Sequence, residues 1–144
     1  MAKGKSWDDM IETDEMIEMI KKDGAEYFAK ESKYRIDAGI YLERLIEEHG
    51  FTRKDIIRRL NLEDSYGRKI FGGQRTPTRK ILLQCAFLLS LNLEETQRLL
   101  DVGQKPRLYP RVRYDAAIIH GIEKGMNLEQ MNAFLEEIGE PPIF

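Results

Sequence analysis

One cysteine, one tryptophan and two histidines in 144 residues remove several chemistries at the outset. Cys85 has no partner for an internal disulfide, and it stands inside the apolar run Ile81 to Leu89, where a small buried hydrophobe is the expected role. A lone thiol fits a reducing compartment. The opening MAKGKSWDD contains no apolar signal core, so the expected location is cytoplasmic. The run Ile81 to Leu89 is also the longest nearly apolar stretch, far too short to span a bilayer, and no membrane partner is expected. His49 and His120 lie far apart without metal-ligand spacing. Gly72-Gly73 lacks the lysine and hydroxyl residue of a phosphate loop, and the carboxylates fall on acidic helical faces, not in apolar settings. No catalytic residue, metal or cofactor is expected, and so no enzyme.

Strand signals are missing too, and what remains reads as helix. Hydrophobic residues make up 42% and charged residues 33%, enough for a water-soluble core. Ser6 with Asp8 and Asp9 starts an acidic helix with Trp7, Met10, Ile11, Met16, Ile17 and Ile20 as its apolar side, stopping near Gly24. A further turn follows with Tyr27 and Phe28 packed. The next helix runs from about Asp37 to His49, buries Tyr41, Leu42, Leu45 and Ile46, and stops at Gly50. Thr76-Pro77 opens a helix with proline at its first position, apolar almost all round except at Gln84, which suits the centre of a bundle.

Charge is distributed unevenly. Residues 1–50 carry 8 Lys/Arg against 13 Asp/Glu, residues 51–113 carry 14 against 6, and residues 114–144 carry 1 against 6. A pI near 5.8 therefore hides a basic middle between acidic ends. Basic runs are most often solvated helical faces, so the local sequence pattern has to decide their meaning.

That pattern is FTRKDIIRRLNLEDSYGRKIFGGQRTP, from Phe51 to Pro77. Thr52 and Asp55 make a capping box, and Ile56, Ile57 and Leu60 form an apolar stripe. Asn61-Leu62 interrupts it, and a second helix runs from about Glu63 to Phe71 before Gly72-Gly73. Two helices with so short a turn resemble the helix-turn-helix of the lambda-repressor-like, or XRE, family of bacterial transcriptional regulators. The resemblance runs through the turn to Gly73-Gln-Arg-Thr-Pro77 and covers about residues 37–102. It implies an all-α chain in which a five-helix domain (37–103) is flanked by an acidic helical extension (1–36) and a C-terminal helical hairpin (104–144). It also implies sequence-specific binding of duplex DNA. Asp64, Ser65, Arg68 and Lys69 then stand where relatives read bases. Arg53, Lys54, Tyr66, Arg75, Arg79 and Lys80 stand where phosphates are met. Glu63 and Asp64 suit a helix start but repel phosphate, although a carboxylate can accept from cytosine N4. Gly67 replaces a branched apolar residue, which implies close helix packing or a short helix, and Phe71 replaces a commonly acidic one.

A second feature is an internal echo. Asn92-Leu-Glu-Glu95 and Asn127-Leu-Glu-Gln130 are both capping boxes, and both are followed by paired apolar residues and then by Gly103 or Gly139. The C-terminal hairpin is expected to extend the core or to form a homodimer surface. The segment Gln104 to Arg113, basic and punctuated by proline, fits a hinge, a phosphate contact or a plain linker. The competing reading is a helical interaction module that keeps the fold without DNA binding and engages a protein partner through its acidic terminal helices.

Overall fold

Every helix the sequence signals between residues 38 and 137 is present in the computed structural model, which describes Ile17, Glu18, Lys21 and residues 38–143. Among these residues there are seven extended helices and no strand: α1 (Ala38–Glu48), α2 (Arg53–Arg59), α3 (Asp64–Phe71), α4 (Arg79–Leu88), α5 (Leu93–Val102), α6 (Arg113–Glu123) and α7 (Leu128–Glu137). All seven belong to one unit, Asp37–Phe144, distinct from Met1–Ile36. Ile17, Glu18 and Lys21 are helical. The remainder of the helix expected from Ser6, its stop at Gly24, and the roles of Tyr27 and Phe28 lie outside the described residues.

Local chemistry sets the starts. Thr52, Asn92 and Asn127 each accept a hydrogen bond from the backbone N–H three residues on, and the side chain of that residue accepts one in return. The start of α4 differs from expectation. Thr78, not Thr76, is the cap, its hydroxyl accepting from Ile81 N at 3.1 Å, so Pro77 lies just before the helix and is buried.

One device ends all seven helices. The residue after each C-cap adopts a left-handed conformation, and it and its successor donate back to carbonyls of the last turn, as in Gly50 N to Glu47 O and Phe51 N to Ile46 O. Asn61, Ser90 and Gln104 do this without being glycine, at φ of 56°, 52° and 56°. Gly103 is consequently not the stop of α5. It keeps φ −76°, and a Cβ there would run into Leu82 Cδ1. It is small so that α5 can end against α4.

Helix α4 is the axis of the core. Ile81 through Phe87 are all buried, and α4 meets α5 on one side and α7 on the other. Contacts of α5 with α6 and of α6 with α7 close the circuit into a four-helix cluster. The C-terminal hairpin therefore completes the core. Its tail is fastened as well: Gln84 Nε2 donates to Ile143 O at 2.9 Å, and Ile143 N donates to Asn132 Oδ1 at 2.6 Å. The first of these bonds explains the one polar residue in the run Ile81 to Leu89, since a buried amide needs partners. Helix α1 packs on α5, α3 and α2, and so carries the basic pair of helices against the cluster.

Candidate nucleic-acid interface

Only Leu60 to Glu63 separates α2 from α3. The left-handed Asn61 reverses the chain, with Asn61 N bonded to Arg58 O and Leu62 N to Ile57 O. Glu63 then leads into α3 in an extended conformation without a side-chain capping bond. Further along, Gly67 faces Ile57 of α2. A Cβ at Gly67 would lie 2.6 Å from Ile57 Cγ1, 2.8 Å from Cδ1 and 3.0 Å from Cγ2. The glycine is what lets the two helices meet with an isoleucine between them.

A buttress fixes the other side of α2. Arg53 makes a two-pronged ion pair with Glu43 of α1, Nε to Oε1 at 2.6 Å and Nη2 to Oε2 at 2.8 Å. Its guanidinium also lies over the Phe71 ring, 5.7 Å from the centroid. The hydrogen bond from Arg53 holds the Glu43 carboxyl below the usual carboxylate range and raises the guanidinium in turn. Arg53 thus ties α1, α2 and α3 together, with 41% of its side chain exposed. Phe71 contributes the core surface and the ring for this contact.

The base-reading candidates come together. Asp64, Arg68 and Lys69 are exposed on α3, and Ser65 is half-buried. Arg53, Lys54, Ile57, Asp64 and Arg68 line a cleft of about 270 Å³ between α2 and α3. Three cations, one carboxylate and one isoleucine thus line it. Lys54, Arg68, Lys69, Arg75 and Lys80 are exposed and make no ion pair among the described residues. Arg75 is held by its backbone, its N–H and that of Gln74 both donating to Lys69 O. Tyr66 is half-buried. Such an arrangement can neutralise phosphates with its outer lysines and arginines, and it presents a guanidinium and a carboxylate as donor and acceptor in one cleft.

Arg79 is different, and its role as a phosphate contact is corrected. Its guanidinium is engaged inside the protein, donating to Asp115 Oδ1 at 3.0 Å and Oδ2 at 2.9 Å, to Pro106 O at 3.0 Å and to Arg107 O at 3.2 Å. Asp115 is itself buried and also accepts from Tyr109 N at 3.0 Å. The segment 104–112 is therefore neither hinge nor loose linker. Gln97 holds it a second time, its amide exchanging two bonds with the Leu108 backbone at 2.9 and 2.7 Å. Arg107 pairs with Asp101, and Arg113 with Glu140 and with Ile138 O.

No protein-family model, curated protein or solved structure matches the chain. Among the described residues no group of three or more His, Cys, Asp or Glu side chains is arranged to hold a metal ion, and no helix is long and apolar enough to cross a membrane. Cys85 is fully buried, and burial pushes its thiol up to about 12.

Proposed function

We propose that the chain is a DNA-binding transcriptional regulator of the XRE, lambda-repressor-like kind, with no catalytic role. On this reading α2 and α3 are its helix-turn-helix within a five-helix core, α1 to α5. Helix α3 enters the major groove with Asp64, Ser65, Arg68 and Lys69 towards base edges, while Lys54, Tyr66, Arg75 and Lys80 meet phosphates. The observation that carries the reading is that Lys54, Arg68, Lys69, Arg75 and Lys80, carried on α2, α3, the turn after it and the first turn of α4, are exposed and make no ion pair among the described residues. Unpaired like charges repel one another, and a polyanion relieves that repulsion. One module covers a half-site, so the reading brings a homodimer with it. Arg68→Ala tests the groove role: it should cost about 1–3 kcal/mol on the preferred site and relax base preference there. An unchanged affinity and preference would remove Arg68 from base reading.

Exposed Glu63 and Asp64, at the very tip of α3, favour the second reading, an interaction module with the same fold. Their neutralisation separates the two. If Glu63→Gln with Asp64→Asn creates binding where the natural protein shows none, the carboxylates guard the groove face and the interaction module takes the lead.

A further inference from the structure

We propose that residues 105–111 form a second phosphate-binding element, a pre-ordered strap that lengthens the contact of the α2–α3 module with duplex DNA. The inference rests on the DNA-binding reading above. The strap's backbone is fastened at five successive residues. Lys105 N donates to Leu100 O, Pro106 and Arg107 carbonyls accept from Arg79, Leu108 is clamped by Gln97, and Tyr109 N donates to Asp115. Leu108 turns into the core at 3% exposure, so its neighbours Arg107 and Tyr109 turn outward, Tyr109 to 55%. Arg107, Tyr109 and Arg111 are exposed and Lys105 is half-buried, so an irregular segment presents three cations with an aromatic among them.

Architecture alone does not call for this composition. Anchoring uses backbone atoms and Leu108, and any exposed polar side chain would serve at positions 105 and 111. Lys105 and Arg111 have no ion-pair partner among the described residues, while Arg107 is balanced by Asp101. The strap is also bonded to the start of α4, the helix that carries Lys80. The guanidinium that binds its carbonyls starts α4, next to Lys80 and four residues after Arg75. The chain turns at Tyr109, whose carbonyl accepts from Val112 N, so residues 105 to 109 reach up to about 17 Å, against one phosphate per about 3.4 Å of axis on each DNA strand. It can follow several phosphates, and being fixed beforehand it loses little chain entropy on binding.

The test is an anisotropy titration of the full chain on a mixed-sequence duplex of about 30 base pairs, three helical turns, across a salt series. Lys105→Ala with Arg111→Ala removes two charges that carry no ion pair among the described residues, so the slope of log K against log salt should become shallower by about 1.8. Arg75→Ala, in the α2–α3 module, should make it shallower by about 0.9. A strap variant that is merely less well folded would bind less at every salt concentration without a change in slope. An unchanged slope for the strap variant with a shallower one for Arg75→Ala overturns the strap and leaves the module in place. Absence of binding by the natural protein at low salt overturns both.

Discussion

The contact between Gly67 and Ile57 sets how α3 sits on α2, and adding one methyl group to it has a calculable effect. Gly67→Ala in a helix interior gains about 1 kcal/mol from helix propensity alone. Against this, three carbons of Ile57 would lie within 3.0 Å of the new Cβ, where about 3.5–4.0 Å is comfortable. Ile57 is only 5% exposed, and one of the three carbons is its rigid branch, so it has little room to withdraw. Overpacking costs about 1–3 kcal/mol, and three simultaneous close approaches place this case in the upper part of that range. The net expectation is a loss of about 1–2 kcal/mol, read as a lower urea midpoint at constant slope. In an Ile57→Ala background the obstacle is gone, and the same Gly67→Ala change should stabilise by about 1 kcal/mol. That reversal of sign is the signature of direct contact. Stabilisation by Gly67→Ala in the natural background would refute the close-packing account of the turn.

Asp115→Ala should destabilise by about 2–4 kcal/mol in urea unfolding, near the lower part of the cost of breaking a buried pair because Arg79 keeps 25% exposure. A loss comparable to that of a surface pair, below about 1 kcal/mol, would mean that the strap is not held as described. The acid limb of stability should depend on Glu43 and Asp55, whose carboxyls are held low by Arg53 and by the Thr52 backbone N–H respectively. Groups with depressed folded values contribute fully above their unfolded pKa near about 4, and the contribution is lost as pH falls through the folded values. The urea midpoint should therefore drop below about pH 4, and Glu43→Gln should flatten that drop; an unaltered acid limb in the variant would count against the pair.

The fold was readable from sequence wherever its cause is local. The capping boxes at Thr52, Asn92 and Asn127 each lie within four residues, and the glycines at 50, 73 and 139 mark their own turns. Ser90 and Gln104 were harder because side chains that usually avoid the left-handed region take it there, whereas Asn61, which tolerates that region, marks its own break. Thr76 and Thr78 both flank Pro77, and local chemistry does not choose between them. The candidate site divides in the same way. Charge counts found the basic stretch, and α3 does expose Arg68 and Lys69. They could not tell Arg79 from Lys80, because the partner of Arg79 lies 36 residues on at Asp115. The Gln84 bond to Ile143 spans 59 residues and left no mark in the local pattern. Gly67 is the intermediate case: its presence pointed to close packing, but only the three-dimensional arrangement identifies Ile57 as the neighbour.

The central claim is that the exposed cations of α2, α3, the turn before α4 and the first turn of α4 bind duplex DNA. Titration of the natural full-length chain against mixed duplex DNA at two salt concentrations tests it most directly. Five neutralised phosphates per protomer, one each for Lys54, Arg75 and Lys80 of the module and for Lys105 and Arg111 of the strap, predict a slope of log K against log salt of about −4.5. Binding should therefore be measurable at about 50 mM salt and weaken by about 500-fold at about 200 mM. No binding at the lower salt, or binding indifferent to salt, would contradict the account.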